Sequence, residues 1–439
     1  MSDRPWAGRR LHLIGLGGAG MSAYARALHG LGATVSGSDR ADSPFLAALE
    51  REGIATVHVG HDPAHLPEGA IVVPSSAIPP ENAELQAARE RGLTVLSRAD
   101  LLGELSALKR TIAVAGAHGK TTTASMLVYV LRAGGLDPCF LVGGTVGDTA
   151  TNGYWSDSPW LVVEADESDR SLLSLHVEIA VLTNVELDHH NEYGSEQELR
   201  EVFRTFLSGA REAVVWDRPA LRELRDGPVV AFDAPDPELV PDGSRLAWRG
   251  HEVHVGVPGA MNARNAVAAL EAGRLAGVPD EQAAGALARF PGAGRRMQRL
   301  GTGPGGALLY DDYAHNPTKV AAAVAAARTL EPERLVVVFQ PHLYSRTRVG
   351  AERFGEALRG ADEIAVLDVY PARERAEAHP GVSGLLVATA AAADGRRVLW
   401  LPTFEVAEPV LEHELRAGDL AVFMGAGDID VLARRLVRG

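Results

Sequence analysis

The stretch VAGAHGKTTTASM, residues 114–126, decides the fold. An apolar strand runs into a glycine-rich turn, then a lysine, three threonines and a helical pattern. The spacing departs from the usual phosphate loop, GxxxxGK[ST], because the position five before Gly119 is Val114. What stands here is Gly116-Ala117-His118-Gly119-Lys120-Thr121, a shortened cradle. The physics survives the shortening. Glycines let backbone N–H groups approach phosphates, the helix N-terminus faces the anion, and Lys120 adds charge. Thr121 can place a hydroxyl on Mg²⁺. The bland alternative is an ordinary glycine-rich strand-to-helix turn.

A second such turn, LIGLGGAGMS, precedes it by about a hundred residues and supplies Gly15, Gly17, Gly18 and Gly20. Asp39 follows at the end of the next strand, near the spacing of a dinucleotide fingerprint. Three readings fit: the diphosphate of a substrate such as a nucleotide-sugar, a dinucleotide cofactor, or a purely structural turn.

Around these turns the chain alternates strands and helices. LHLIG, ATVSGSD, AIVVPSSA and TVLS read as strands, with AGMSAYARALHGLG and ENAELQAARERG as helices between them. The helix near Leu101–Leu108 reads as a linker. TIAVAG, WLVVEAD, EIAVLTNV and REAVVW form a second set, followed by an amphipathic helix in AMNARNAVAALEAGRLAG. ALLYDDYA, RLVVVFQPH, EIAVLDVY and DLAVFMGAG form a third. PDPELVPDGS reads as a surface loop. Alternation of this kind means parallel α/β sheets, whose strand carboxyl ends carry ligands. At 439 residues the chain is long enough for roughly three domains of about 150 residues. The expected fold class is therefore α/β, with three doubly wound units in series.

Composition narrows the function. No apolar run reaches the roughly 18 residues of a membrane span, and MSDRPWAGRRLHLIG has no signal-peptide core. The single cysteine, Cys139, excludes an intramolecular disulfide framework and fits a reducing cytoplasm. A net charge of −14 argues against broad nucleic-acid binding. Only three lysines stand against forty arginines. A lysine kept in such a background marks a need for a compact point charge. Lys120 lies in the cradle, whereas Lys109 and Lys319 read as surface residues.

Chemistry-bearing residues gather at strand ends. WLVVEADESDRS presents Glu164, Asp166, Glu167 and Asp169, and a carboxylate there can hold Mg²⁺ near phosphates; a solvated acidic loop is the alternative. LTNVELDHHNEYG presents Asn184, Glu186, Asp188, His189 and His190. LLYDDYAHNPTKV offers Asp311, Asp312, Tyr313 and His315, and FQPHLYSRTR offers His342, Arg346 and Arg348. GRRM adds Arg295 and Arg296. Basic residues of a C-terminal domain can steady a transferring phosphoryl group, although a boundary arginine commonly just pairs with surface carboxylates.

GAHGKTTT, EADESD, NVELDHH, NARNA, GRRM, DDYAHNP, FQPHLYSRT and MGAGDI, in this order, resemble the Mur ligases of peptidoglycan synthesis. The resemblance runs from IGLGGAGMS to MGAGDI. It implies a Rossmann-like N-terminal UDP-sugar domain (1–108), a central P-loop ATPase with a mostly parallel sheet (109–294) and a Rossmann-like C-terminal domain (295–439). The first glycine turn then resembles the binder of the sugar diphosphate and the second the ATP site.

The implied roles follow residue by residue. Gly116, Ala117, His118, Gly119, Lys120, Thr121 and Thr122 bind ATP phosphates. Thr121 and Glu164 hold one Mg²⁺, and His189 resembles the ligand of a second. Asn265, with Asn262 nearby, resembles the adenine contact. Arg296, Asp312, Tyr313 and His315 resemble groups that close over ATP and substrate, and domain closure is expected. His342 and Arg346 resemble the amino-acid side. Gly17, Gly18, Gly20, Asp39, Ser75 and Ser76 fall to the sugar-nucleotide side, and Lys120, His189, His315 and Arg346 to catalysis. The implied substrates are UDP-N-acetylmuramate and L-alanine, with ATP and Mg²⁺, in a monomer or weak dimer.

The family pattern is broken at Ala117, often Thr, at Met261, Met297 and Ser345, at Asn316, where the family has a second His, and at Leu343, where it has Arg. The last bears on amino-acid selectivity rather than on the reaction. Among rivals, a murein tripeptide ligase would use the same chemistry with a bulkier amine. A folate-type glutamate ligase would not need the GLGGAG domain. An NAD-dependent oxidoreductase leaves GKTTT unexplained, and a non-catalytic nucleotide switch leaves the third unit's acids and bases without purpose.

Overall fold

The computed structural model describes residues 4–149, 151–186, 193–240, 242–372 and 374–438. Two compact units form. The first comprises residues 1–234, 248–253 and 264–290; the second comprises 235–247, 254–263 and 291–439.

The first unit carries two sheets. Strands β1 (Arg10–Ile14), β2 (Thr34–Asp39), β3 (Thr56–Val59) and β4 (Ile71–Pro74) pair in the order β3-β2-β1-β4, all parallel. Helix α1 (Ala19–Gly30) connects β1 to β2 and α2 (Pro44–Arg51) connects β2 to β3, whereas α3 (Ala83–Glu90) follows β4. After α4 (Arg98–Ala107), a second sheet is built from β5 (Arg110–Ala115), β6 (Cys139–Leu141), β7 (Gly153–Tyr154), β8 (Trp160–Glu164), β9 (Ile179–Leu182), β10 (Glu212–Trp216) and β11 (Val230–Phe232). Its order is β11-β10-β9-β5-β8-β6-β7, and only β7 runs antiparallel. The near-continuous apolar runs of β5, β8 and β9 match a sheet buried on both faces. β5 lies between β8 and β9, so chain ends from all three meet beside the turn into α5 (Lys120–Ala133).

The two sheets share one core. Leu11, Leu28 and Leu105 belong to the same buried cluster as Ala113, Leu161 and Leu182. Asn152, just before β7, donates to Ser22 Oγ on α1 at 2.9 Å.

In the second unit, β12 (Glu238–Val240) pairs antiparallel with β13 (Gly243–Trp248), whose Trp248 falls in the first unit; β14 (His251–Val255) follows, with only His254 and Val255 in the second unit. The main sheet there comprises β15 (Gln298–Thr302), β16 (Leu308–Asp312), β17 (Arg334–Phe339), β18 (Glu363–Val366), β19 (Val398–Trp400) and β20 (Asp419–Met424). Its order is β15-β16-β20-β17-β18-β19, with β15 alone antiparallel. Cores line both of its faces.

Several local expectations change. PDPELVPDGS is not a plain loop: Glu238–Val240 is a strand, because Glu238 pairs with Arg245 and Val240 with Gly243. TVLS contributes only an isolated bridge, Val72 to Val95. The linker helix is α4, and its Leu101, Leu102 and Leu105 are buried in the shared core. AMNARNAVAALEAGRLAG is helical from Ala260 to Leu275, but it is buried on every side from Asn265 to Gly273 rather than amphipathic. Lys109 is no bare surface residue: its Nζ donates to the carbonyls of Ser156 (3.2 Å) and Ser158 (2.7 Å). Among the described residues no helix is long and apolar enough to cross a membrane.

Candidate active site

The cradle forms where β5 ends. Gly116 has φ 129°, and a Cβ on it would lie 2.3 Å from Thr183 Oγ1. Gly119 has φ 87°, and a Cβ there would meet Asn265 Oδ1 at 2.6 Å. Only glycine fits such a backbone at such a separation. Gly119 also caps α5 with no side-chain hydrogen bond, so the first amides of the helix are left to the cradle.

Residues after β9 hold the loop from behind. Thr183 Oγ1 donates to the carbonyls of Ala115 (3.1 Å) and His118 (2.7 Å). Asn184 Oδ1 accepts from the His118 amide at 3.1 Å, which orients its Nδ2 toward His118 Nδ1 at 2.9 Å. That leaves the ring proton on Nε2, 3.2 Å from Glu186 Oε2. Thr183 drew no notice in the sequence, although a Thr-Asn pair closing an apolar strand was the available signal.

Lys120 folds back over the loop. Its Nζ donates to Gly116 O at 2.7 Å and to Glu167 Oε2 at 2.8 Å. Burial works against its ammonium, but Glu167, with Asp166 and Glu164 behind it, outweighs burial and raises the pKa above the ordinary lysine value. Glu167 is only 2% exposed, and the Tyr193 hydroxyl donates to its backbone carbonyl. The sequence placed Glu167 in the acidic turn without marking it as the lysine's partner.

Glu164 ends β8 opposite Val114, and its Oε1 accepts from Gly143 N at 2.8 Å. Thr121 sits buried in the first turn of α5. Among the described residues no three His, Cys, Asp or Glu side chains are arranged to hold a metal by themselves. A hydroxyl and one carboxylate beside a phosphate cradle still fit Mg²⁺, which usually takes one or two carboxylates plus water and phosphate oxygens. Asp188, His189 and His190 lie outside the described residues. Asn265 is buried against Gly119.

The other glycine turn lies in the same unit. Gly17 N donates to Asp39 Oδ2 at 2.8 Å, and Ser43 Oγ donates to Gly17 O at 3.0 Å. Asp39 therefore braces the turn. Gly18 caps α1 with no side-chain hydrogen bond. Ser75 backs onto Gly15, where a Cβ would stand 2.8 Å from its own, whereas Ser76 is exposed.

In the second unit the two GRRM arginines share the Tyr313 ring, Arg295 lying 5.1 Å from its centroid, but differ in their polar partners. Arg295 donates to Asp311 Oδ2 (3.1 Å) and to the carbonyls of Gly427 (3.1 Å) and Gly425 (3.0 Å). Arg296 stacks over the Tyr313 ring, 4.9 Å from its centroid. Both oxygens of Asp312 accept backbone amides, from Met297 and Ala314, each at 2.8 Å. Asp312 thus clamps the GRRM turn, where Arg295 and Met297 hold φ values of 57° and 45°. His315 Nδ1 donates to Tyr313 O at 2.7 Å. Arg346 Nη1 donates to His342 Nδ1 at 3.3 Å, and the His342 ring stacks on Tyr370 at 5.8 Å.

Two departures, Asn316 and Ser345, acquire local reasons. Asn316 caps the helix Pro317–Arg328, its Oδ1 accepting from Lys319 N at 2.8 Å. The Ser345 hydroxyl donates to Glu374 Oε1, beside the Ser345 amide, which donates to Oε2 at 2.9 Å. Leu343 is 8% exposed, at φ 69°. Arg348 is exposed.

The sequence matches three family descriptions in turn: "Mur ligase family, catalytic domain" over residues 10–110, "Mur ligase middle domain" over 114–273 and "Mur ligase, glutamate ligase domain" over 295–427. The chain belongs to the Mur ligase family. This Mur ligase is 40% identical to the UDP-N-acetylmuramate–L-alanine ligase of Mycolicibacterium smegmatis, over 98% of this chain and 94% of that protein. Its fold matches the crystal structure of the UDP-N-acetylmuramate–alanine ligase MurC of Thermotoga maritima with TM-score 0.84 and 25% identity, covering 97% and 98% of the two chains. A murein peptide ligase of Psychrobacter arcticus matches in fold with TM-score 0.73 at 24% identity, covering 98% of each chain. Three α/β domains in series are therefore present, as the sequence implied.

Proposed function

We propose that the chain is an ATP-dependent ligase that joins L-alanine to the carboxylate of UDP-N-acetylmuramate, giving UDP-N-acetylmuramoyl-L-alanine, ADP and phosphate. The phosphate cradle at Gly116–Thr122, with Lys120 closing over it, carries the ATP-dependent part of this reading. The match to alanine ligases along nearly the whole chain supports the choice of substrates.

A carboxylate is a poor electrophile. Its oxygen attacks the γ-phosphorus, the bond to ADP breaks, and an acyl phosphate results. The amine of L-alanine attacks the acyl carbon, gives up a proton, and phosphate leaves. Backbone amides of Gly116–Thr122 hold the phosphates, and the Lys120 ammonium balances the charge of the group in transit. The protein contributes positioning and charge stabilisation. Mg²⁺ would be held by Thr121 and Glu164, with a second ion at His189, and when bound it offsets repulsion between carboxylate and ATP anions.

Gly17, Gly18 and Gly20, with Asp39, Ser75 and Ser76, form the proposed sugar-nucleotide side, and Asp39 acts there through the Gly17 amide. Asn265 is the proposed adenine contact. Arg296, Asp312, Tyr313 and His315 are assigned to ATP and substrate, with Asp312 acting through backbone it fixes. His342 and Arg346 are assigned to the amino acid. Proposed domain boundaries are 108/109 and 294/295, and the proposed setting is the cytoplasm, as a monomer or weak dimer.

The test is phosphate release with ATP, Mg²⁺ and UDP-N-acetylmuramate, with L-alanine or with the L-Ala–D-Glu–diaminopimelate tripeptide. Release that needs both the UDP-sugar and L-alanine is expected. Release only with tripeptide and free N-acetylmuramate would reassign the chain to peptide recycling.

A further inference from the structure

Three chain segments of the first unit meet at one guanidinium. Arg98 opens α4 directly after the Ser97 capping box. Its Nη2 donates to the Asp169 carboxylate and, at 3.2 Å, to Ser171 Oγ. Asp166 Oδ2 stands 3.9 Å away. On the other side Nη1 lies against Gly20, where a Cβ would sit 3.4 Å from it. Tyr24, one turn further along α1, is buried beside the group; burial and the nearby Asp169 and Asp166 outweigh Arg98 and push its phenol to about 12. Among the described residues Arg98 Nε, which is buried, finds no hydrogen-bond partner.

A partly buried ion pair returns little net stability after desolvation, so its location is the informative part. Gly20, the last glycine of the N-terminal motif, lies in the first turn of α1. Asp166, Asp169 and Ser171 lie on the turn after β8 that begins with Glu164 and supplies Glu167 to Lys120. That turn is internally braced: Ser168 N donates to Asp166 Oδ1 and Ser171 N to Asp169 Oδ1, each at 3.1 Å.

We infer that Arg98 is a positioning residue that locks the acidic turn to the first turn of α1, keeping the carboxylates beside the phosphate cradle in register with the glycine turn of the N-terminal sheet. The inference rests on the reading of the cradle given above. Arg98 acts through Asp169 and Asp166, and the sequence hides it because its partners lie some seventy residues away.

The experiment is Mg²⁺-dependent binding of a non-hydrolysable ATP analogue to the full chain, followed by calorimetry. The proteins are wild type, Arg98→Ala, Asp169→Asn and the double variant, each with its thermal unfolding recorded. Loss of a partner that orients a metal ligand typically costs about 10–100-fold in metal affinity, and Arg98, which reaches Glu164 only through the turn that Asp166 and Asp169 share with it, should fall at the low end. Each single variant should raise the Mg²⁺ concentration for half-saturation by about tenfold, and the double variant should be no worse than either, as one shared contact requires. A lowered melting temperature with unchanged Mg²⁺ dependence overturns the inference. So does a loss of UDP-sugar affinity in Arg98→Ala that Asp169→Asn does not share, since that makes Arg98 a direct ligand. If Arg98→Ala does not fold, the near-isosteric Asp169→Asn carries the same readout. The nucleotide measurement needs no sugar or amine, so failure of the alanine-ligase reading would show separately, in wild-type phosphate release.

Discussion

Lys120 Nζ lies 2.8 Å from Glu167 Oε2, and that carboxylate is 2% exposed. The lysine of the cradle is thus aimed by a carboxylate forty-seven residues away. Lys120→Ala should lose at least the 10²–10³ in turnover that removal of one transition-state donor typically costs. It should also destabilise the first unit, by about 3–5 kcal/mol for a broken buried pair. The double variant Lys120→Ala, Glu167→Gln should recover much of that stability and none of the activity. Denaturant unfolding and ATP turnover on both proteins check the two halves separately.

Gly119 tests the cradle without touching a charge. Gly119→Ala forces φ 87° on a residue with a Cβ and drives that atom to 2.6 Å from Asn265 Oδ1. Strain of about 1–3 kcal/mol falls on the loop, so nucleotide affinity should drop by at least tenfold. Asn265→Ala in the same background removes the clash but not the φ strain, so it should restore only part of the stability that Gly119→Ala loses and, as Asn265 is the proposed adenine contact, none of the nucleotide affinity. Nucleotide titration of Gly119→Ala reads the affinity loss, and denaturant unfolding of both variants separates clash from strain.

Two buried carboxylates should give opposite responses to acid. Burial opposes ionisation of Glu84, but contacts from His12, Ser38 and His65 win and lower its pKa to about 2. Its ionised form therefore contributes stability above the ordinary value of 4.5, lost as pH falls toward about 2. Asp311 goes the other way: burial dominates, Arg295 only partly offsets it, and the pKa rises to about 6. Its contribution is full below the ordinary value of 3.8 and is lost as pH rises through about 6. The advantage of wild type over Glu84→Gln should vanish between pH 4.5 and 2, and that over Asp311→Asn should shrink between pH 3.8 and 6. Melting temperatures across those ranges check both.

Leu343 combines burial with a left-handed backbone, φ 69°, at the start of helix Tyr344–Leu358. Leu343→Ala should cost about 2–5 kcal/mol for the lost buried side chain. Leu343→Gly loses the same contacts but relieves the backbone, worth about 1 kcal/mol, and should be the more stable of the two. Denaturant unfolding of both variants decides it, and equal stabilities would refute the strain.

What the sequence determined was local. Gly116 to Thr121 are consecutive, and a strand, two glycines and a lysine specify a cradle whatever surrounds them. The same holds for Gly15–Gly20 with Asp39, and for the long apolar strands that set the α/β class. Short strands such as β3 and β6, and the ribbon strand β12, escaped because three or four residues carry too little periodicity. Only the tertiary structure decided which carboxylate faces Lys120, which GRRM arginine anchors the Gly425–Gly427 turn, and that Arg98 ties α1 to the acidic turn. The reason is physical. Glu164, Asp166 and Glu167 are chemically alike and adjacent, and what separates them is the direction each takes from the end of β8 and the charge it meets there. That direction is fixed by contacts between residues far apart in the chain, which no stretch of sequence records.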